Sequence, residues 1–230
     1  MKLVQILKGS TVRIAKPDRP FGYLPEVTQM VTEHFGFQEY PIDFSKLLSH
    51  GTADPESPAN FRHGKVEIDG RQLLIDELQI YQNGSIVSTP GNTSDSDLIT
   101  DYLYRWANER FQLNFQIIGT GSHFSQLEIE FDRSLADLFS ALKEIGSDIN
   151  KGLDSSWEDN IPTYQLTTIQ FGLDPTKAPQ INPGMFRIEN RAQMALETKL
   201  YFCEAAMTTE NHMTILSKFE RVCLEKFAGS

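Results

Sequence analysis

Asp69-Gly70 and Asn83-Gly84 punctuate a stretch of alternating apolar and polar residues between positions 65 and 89. Asn-Gly and Asp-Gly tolerate the positive φ angles of a type I′ turn, whose twist matches that of paired strands. Lys65 to Ile68, Leu73 to Tyr81 and Ser85 to Ser88 therefore read as three strands of an antiparallel meander. Links this short exclude parallel crossovers, which need a dozen or more residues.

The remaining chain extends the pattern. Residues 2–7 and 11–15 read as strands, with Gly9-Ser10 as a turn between them. Pro25 fits the first turn of a helix carrying Val27, Met30, Val31 and Phe35, and Gly36 stops it. Ser94 is the expected N-cap of a second helix, with Leu98, Tyr102, Trp106 and Arg110 along one stripe and Ile99 and Leu103 beside it. Residues 114–119 and 125–131 read as strands, and Ser134 caps a helix carrying Leu135, Leu138, Phe139, Leu142 and Ile149, weakened by Gly146. Residues 164–171, 185–190 and 195–206 read as strands before a last helix capped by Thr208 or Thr209. Strands followed by a helix thus recur three times after residue 64. The expected class is α+β: mainly antiparallel sheet, in meanders and hairpins, with about four amphipathic helices packed on it.

A chain of 230 residues buries enough apolar surface to fold without disulfides or metals. Residues 49–64 form a Pro/Ser/Asp-rich loop and residues 150–162 a second polar one. The segment before the first loop is too small to be stable alone, so the expectation is a single domain over 1–230. Cys203 and Cys223 are too few for a disulfide scaffold and read as buried thiols. The N-terminal apolar run is too short for a signal-peptide core, and no run approaches the ~20 residues that span a bilayer. The expectation is a cytoplasmic protein with no membrane partner.

The net charge of −10 argues against a nucleic-acid partner, which usually meets a basic face. Phosphate-loop patterns are absent: Gly119-Thr120-Gly121 lies between strands rather than before a helix, and reads as a turn. His34, His50, His63, His123 and His212 show no i, i+4 pair. His50, Asp54, Glu56 and His63 share one loop, where composition alone gathers such residues. Hence no cofactor or metal is assigned, and no catalytic residue.

Two oxygen-rich patterns keep an alternative open. Glu128, Glu130 and Asp132 alternate on one strand, so they share a face that could hold Mg²⁺ or Mn²⁺. Glu197 and Lys199 form an E-x-K with Asp174 upstream, the arrangement in which restriction-type nucleases hold a divalent ion and polarise water. Both patterns would serve a metal-dependent hydrolase or nuclease. A further alternative is a small-molecule-binding protein, because antiparallel sheet against a helix encloses apolar cavities. The leading expectation is a non-enzymatic interaction or assembly subunit of an intracellular complex. It would meet a protein partner or a second copy of itself, with Trp157 and Phe61, both on loops, as the interface residues.

Overall fold

The computed structural model describes residues 1–19, 25–41, 58–152, 164–174, 176, 184–195 and 198–227. Among these the chain is α+β, with nine strands in antiparallel pairing and five α-helices. It falls into two compact units. One comprises Ile6–Ser125 and Met207–Thr209, the other Met1–Gln5, Gln126–Ala206 and Glu210–Ser230. Strands β1 (Lys2–Pro17) and β6 (Ser122–Glu130) contribute residues to both.

The N-terminal unit orders its strands β2 (Ala59–Ile68), β3 (Arg71–Tyr81), β4 (Gly84–Thr89), β1, with β5 (Phe115–Ile117) also paired to β1. The meander expected at 65–89 is there. Ile68 pairs with Arg71, leaving Asp69-Gly70 as the loop, with φ of 52° and 74° as a type I′ turn requires. The second turn sits one residue earlier than expected. Tyr81 pairs with Gly84, so the loop residues are Gln82-Asn83 and Gly84 already belongs to β4. There the glycine meets a steric need: a Cβ on Gly84 would lie 2.2 Å from the Arg13 carbonyl oxygen.

Gly9-Ser10 is not a turn. The strand runs straight through, with Gly9 opposite Thr89 and Ser10 opposite Ser88. The glycine is needed because a Cβ there would come within 2.5 Å of the Asn92 carbonyl carbon, at the start of the next helix. Residues 59–64, expected in the first polar loop, are strand: β2 begins at Ala59.

Helix α1 (Pro25–Phe35) begins and ends as its sequence suggests, with Gly36 in the left-handed conformation at φ 58°. Helix α2 (Thr93–Phe111) is capped two positions earlier than expected. Asn92 is the N-cap, and its side chain accepts from the Asp95 N–H at 2.9 Å. Its buried face is also rotated from the expected stripe: Thr93, Ser96, Ile99, Thr100, Leu103, Tyr104 and Ala107 point inward, while Leu98 is exposed. The core gathers Val31, Phe35, Phe37, Ile75, Leu78 and Val87 around Phe61.

The C-terminal unit orders its strands β6, β9 (Leu200–Ala205), β8 (Phe186–Asn190), β7 (Thr168–Phe171). Leu127, Ile129, Phe131, Ile188, Tyr201 and Cys203 face inward and are almost wholly buried. Ser134 caps α3 (Leu135–Leu138) by accepting from the Asp137 N–H at 3.1 Å. A 3-10 turn at Ser140–Leu142 separates it from α4 (Lys143–Gly152), so the single helix expected here is two. Gly146 lies in the first half of α4, where it also meets a steric need. A Cβ there would sit 2.3 Å from the Tyr164 carbonyl oxygen, so glycine is what lets the 164–166 segment approach. Helix α5 (Thr209–Phe227) follows β9 and is the last element of the chain among the described residues.

Candidate functional site

The N-terminal unit holds a cavity of about 60 Å³ between α1, α2 and the strands. Val31, Ile80, Leu103 and Ala107 supply aliphatic wall, and Trp106 and Phe115 aromatic wall. Among the described residues no charged side chain lines it. Ser85 Oγ and Tyr104 Oη, 3.1 Å apart, form a buried hydroxyl pair in its lining, which Thr28, Tyr81 and Gln82 also join. Ser85 is 2% and Tyr104 8% exposed. Burial pushes the Tyr104 phenol up from its ordinary pKa, which keeps it a hydrogen-bond donor.

Beside this cavity α2 is held to β1 through hydroxyls and charges rather than hydrocarbon. Thr11 Oγ1 donates to Asp97 at 2.9 Å and lies 2.7 Å from Ser96 Oγ. His123 Nε2 is 2.9 and 3.1 Å from the two Asp97 oxygens, and Arg13 Nη2 is 3.2 Å from Asp101. Hydroxyl, carboxylate and imidazole are thus assembled, but in an order unsuited to nucleophilic catalysis. The carboxylate separates the imidazole from the hydroxyl, whereas a general base must touch the hydroxyl it activates. Thr11 is moreover fully buried. The cluster is a clasp. Sequence reasoning missed it because its members are scattered between positions 11 and 123.

The carboxylates singled out from the sequence lie where the alternation placed them. Leu127, Ile129 and Phe131 are buried, and Glu128, Glu130 and Asp132 are turned the other way. They do not converge. Glu128 pairs with Arg191 at 3.3 Å, and Asp132 lies 3.5 Å from the Met1 amino group. Among the described residues no three metal-ligating side chains gather. Lys199 Nζ donates to the Asp132 carbonyl at 2.6 Å, and Asp174 accepts from the Thr176 amide and hydroxyl in a local turn. Glu197, His50, Asp54 and Glu56 lie outside the described residues. His63 stands on β2 in a left-handed conformation, φ 55°. Cys203 and Cys223 are buried, and burial pushes both thiols up, away from the reactive thiolate.

Of the two interface candidates, Trp157 lies outside the described residues. Phe61 is on β2 rather than in a loop. It is 1% exposed and packs on Phe37 with ring centroids 5.3 Å apart, so its surface is spent inside the core. In the C-terminal unit, exposed apolar side chains fall into groups. Leu142, Ile145 and Ile149 are 42, 57 and 44% exposed along the 3-10 turn and α4. Phe171, Leu173 and Met185 are exposed at or beside the edge strand β7. The i, i+4 spacing of Ile145 and Ile149 puts them on one face of α4.

Among the described residues no helix is long and apolar enough to cross a membrane. Comparison with protein-family models and with curated proteins finds no match to this chain.

Proposed function

We propose that the protein is a non-enzymatic interaction or assembly subunit of a cytoplasmic complex, docking through its C-terminal unit. The observation that supports this is the pair Ile145 and Ile149, which share one face of α4 and stand in water instead of facing a core. Contiguous exposed apolar surface rimmed by polar residues is characteristic of protein-binding sites. Glu144 and Asp148, each one position before an isoleucine of the pair, are exposed as well. Strand β7, last in the sheet order among the described residues, adds an edge and Phe171, a second feature suited to self-association or strand addition.

The test places a photo-crosslinking side chain at position 145 and follows mass by sedimentation velocity across a concentration series. Self-association, or a discrete crosslinked adduct lost in Ile149→Glu, supports the reading. A chain that stays monomeric at every concentration, and yields no adduct from position 145 in cell extract, removes it.

A further inference from the structure

We infer that the cavity of the N-terminal unit is a binding site for a small neutral amphiphile, a short alkyl chain ending in one hydroxyl or carbonyl group. The lining sets each part of that description. Its aliphatic and aromatic walls favour hydrocarbon over water. The enclosed volume of about 60 Å³ is well under the roughly 150 Å³ that accommodates benzene, and the space opens to solvent, so the occupant is a slender chain that reaches in by one end rather than a ring held whole. No cation or carboxylate faces the space among the described residues. The charge felt at Tyr104 is that of Arg13, opposite Ser85 on β1, and it is already paired with Asp101 at 3.2 Å and Asp97 at 3.7 Å; an ionised ligand would lose its hydration without a free counter-charge, which selects a neutral one.

The hydroxyls of Ser85 and Tyr104 share one hydrogen bond, and neither makes another among the described residues. Two hydroxyls sharing one bond leave one O–H and several lone pairs unused. Buried polar groups normally find partners, so a ligand oxygen reaching this pair would complete their bonding. Ala107, on α2, is one of the small residues that line the space. This site is separate from the exposed isoleucine pair of α4, and neither reading depends on the other.

The probes are 1-butanol, butanoate and butylammonium, each titrated into the full chain at neutral pH. Binding is followed by ¹H–¹⁵N spectra that include the Trp106 indole N–H, and by thermal unfolding. Saturable shifts and a raised Tm with butanol are expected, with at least tenfold weaker binding of both ions. Tyr104→Phe is expected to weaken butanol binding about three- to tenfold, the loss of one hydrogen bond. Ala107→Leu fills the space and is expected to abolish saturation while the chain still unfolds cooperatively. Val31→Phe fills it from α1, should the first variant not fold. Equal binding of butanol and butanoate, unsaturable shifts, or unchanged butanol binding in a folded filling variant would overturn the inference.

Discussion

The hydroxyl of Tyr201 accepts a hydrogen bond from the backbone N–H of Leu135 at 2.7 Å, inside the C-terminal unit. Tyr201 is on β9, Leu135 opens α3, and both are fully buried. A first-turn amide has no partner within its own helix, so this phenol does what a cap would otherwise do. Tyr201→Phe keeps the ring and its packing on Phe131 but orphans the amide. Urea unfolding is expected to show a loss of about 1–3 kcal/mol, the cost of a buried unsatisfied donor. A loss within experimental error would mean that water reaches the amide.

Gly9 separates steric need from mere flexibility. Gly9→Ala drives a Cβ into the backbone of Asn92 and Thr93, and is expected to cost about 1–3 kcal/mol or more, as overpacking does. Gly172→Ala meets nothing within 4 Å and serves as the control, expected within about 0.5 kcal/mol of wild type. Chemical denaturation of the two variants side by side tests the distinction, and equal losses would refute it.

Stability on the acid side is expected to depend on His212. Burial pushes its pKa down from 6.5 to about 4. The folded imidazole stays neutral in a range where the unfolded one takes up a proton. The unfolded state therefore binds more protons between these values, and stability falls as pH drops from about 6.5 to about 4, then levels. The loss is on the order of 3 kcal/mol. His212→Gln should flatten that limb of a stability–pH curve, whatever it does to stability at pH 7.

The alkaline limb is expected to involve Glu220. This carboxylate is 5% exposed, pairs with the Met1 ammonium, and accepts the Asp132 N–H at 2.7 Å. The hydrogen bond to Glu220 is the main reason the amine pKa lies above its usual 8.0. A raised pKa means the contribution is complete below pH 8 and lost as pH rises through the folded value. Glu220→Gln should remove that alkaline dependence and destabilise the fold at pH 7, since it leaves the ammonium without its buried partner. Denaturant titrations at a series of pH values check both outcomes.

Local chemistry is legible in this sequence, and tertiary fit is not. Asp69-Gly70 is a turn because two positive φ angles are cheap there, and nothing distant overrides that. Pro25 and Gly36 bound α1 for similarly local reasons. Gly9 looks like the same kind of signal, yet its role is to let a helix start lie against a strand, which no neighbouring residue announces. The inward face of α2 escapes a hydrophobic pattern because Thr93, Ser96 and Thr100 read as surface residues and are all buried. The cavity is equally hidden, since Ala15, Thr28 and Ala107 line it through position rather than type. Alternation does reveal the wet carboxylate face of β6. It says nothing of whether facing charges gather or pair off, and Glu128 pairs with Arg191.

The hydroxyls along α2 have a mechanical consequence. A helix seated by hydrocarbon alone can roll about its axis, because the dispersion attraction given up on one side is regained on the other. Hydrogen bonds are directional and weaken steeply with angle. Thr11 holds α2 near its beginning through Asp97 and Ser96, and Ser85 holds it two turns further on through Tyr104. With two such fixings along its length, the helix has one permitted azimuth on the strands beneath it, and side chains carried by its outer face keep a fixed bearing.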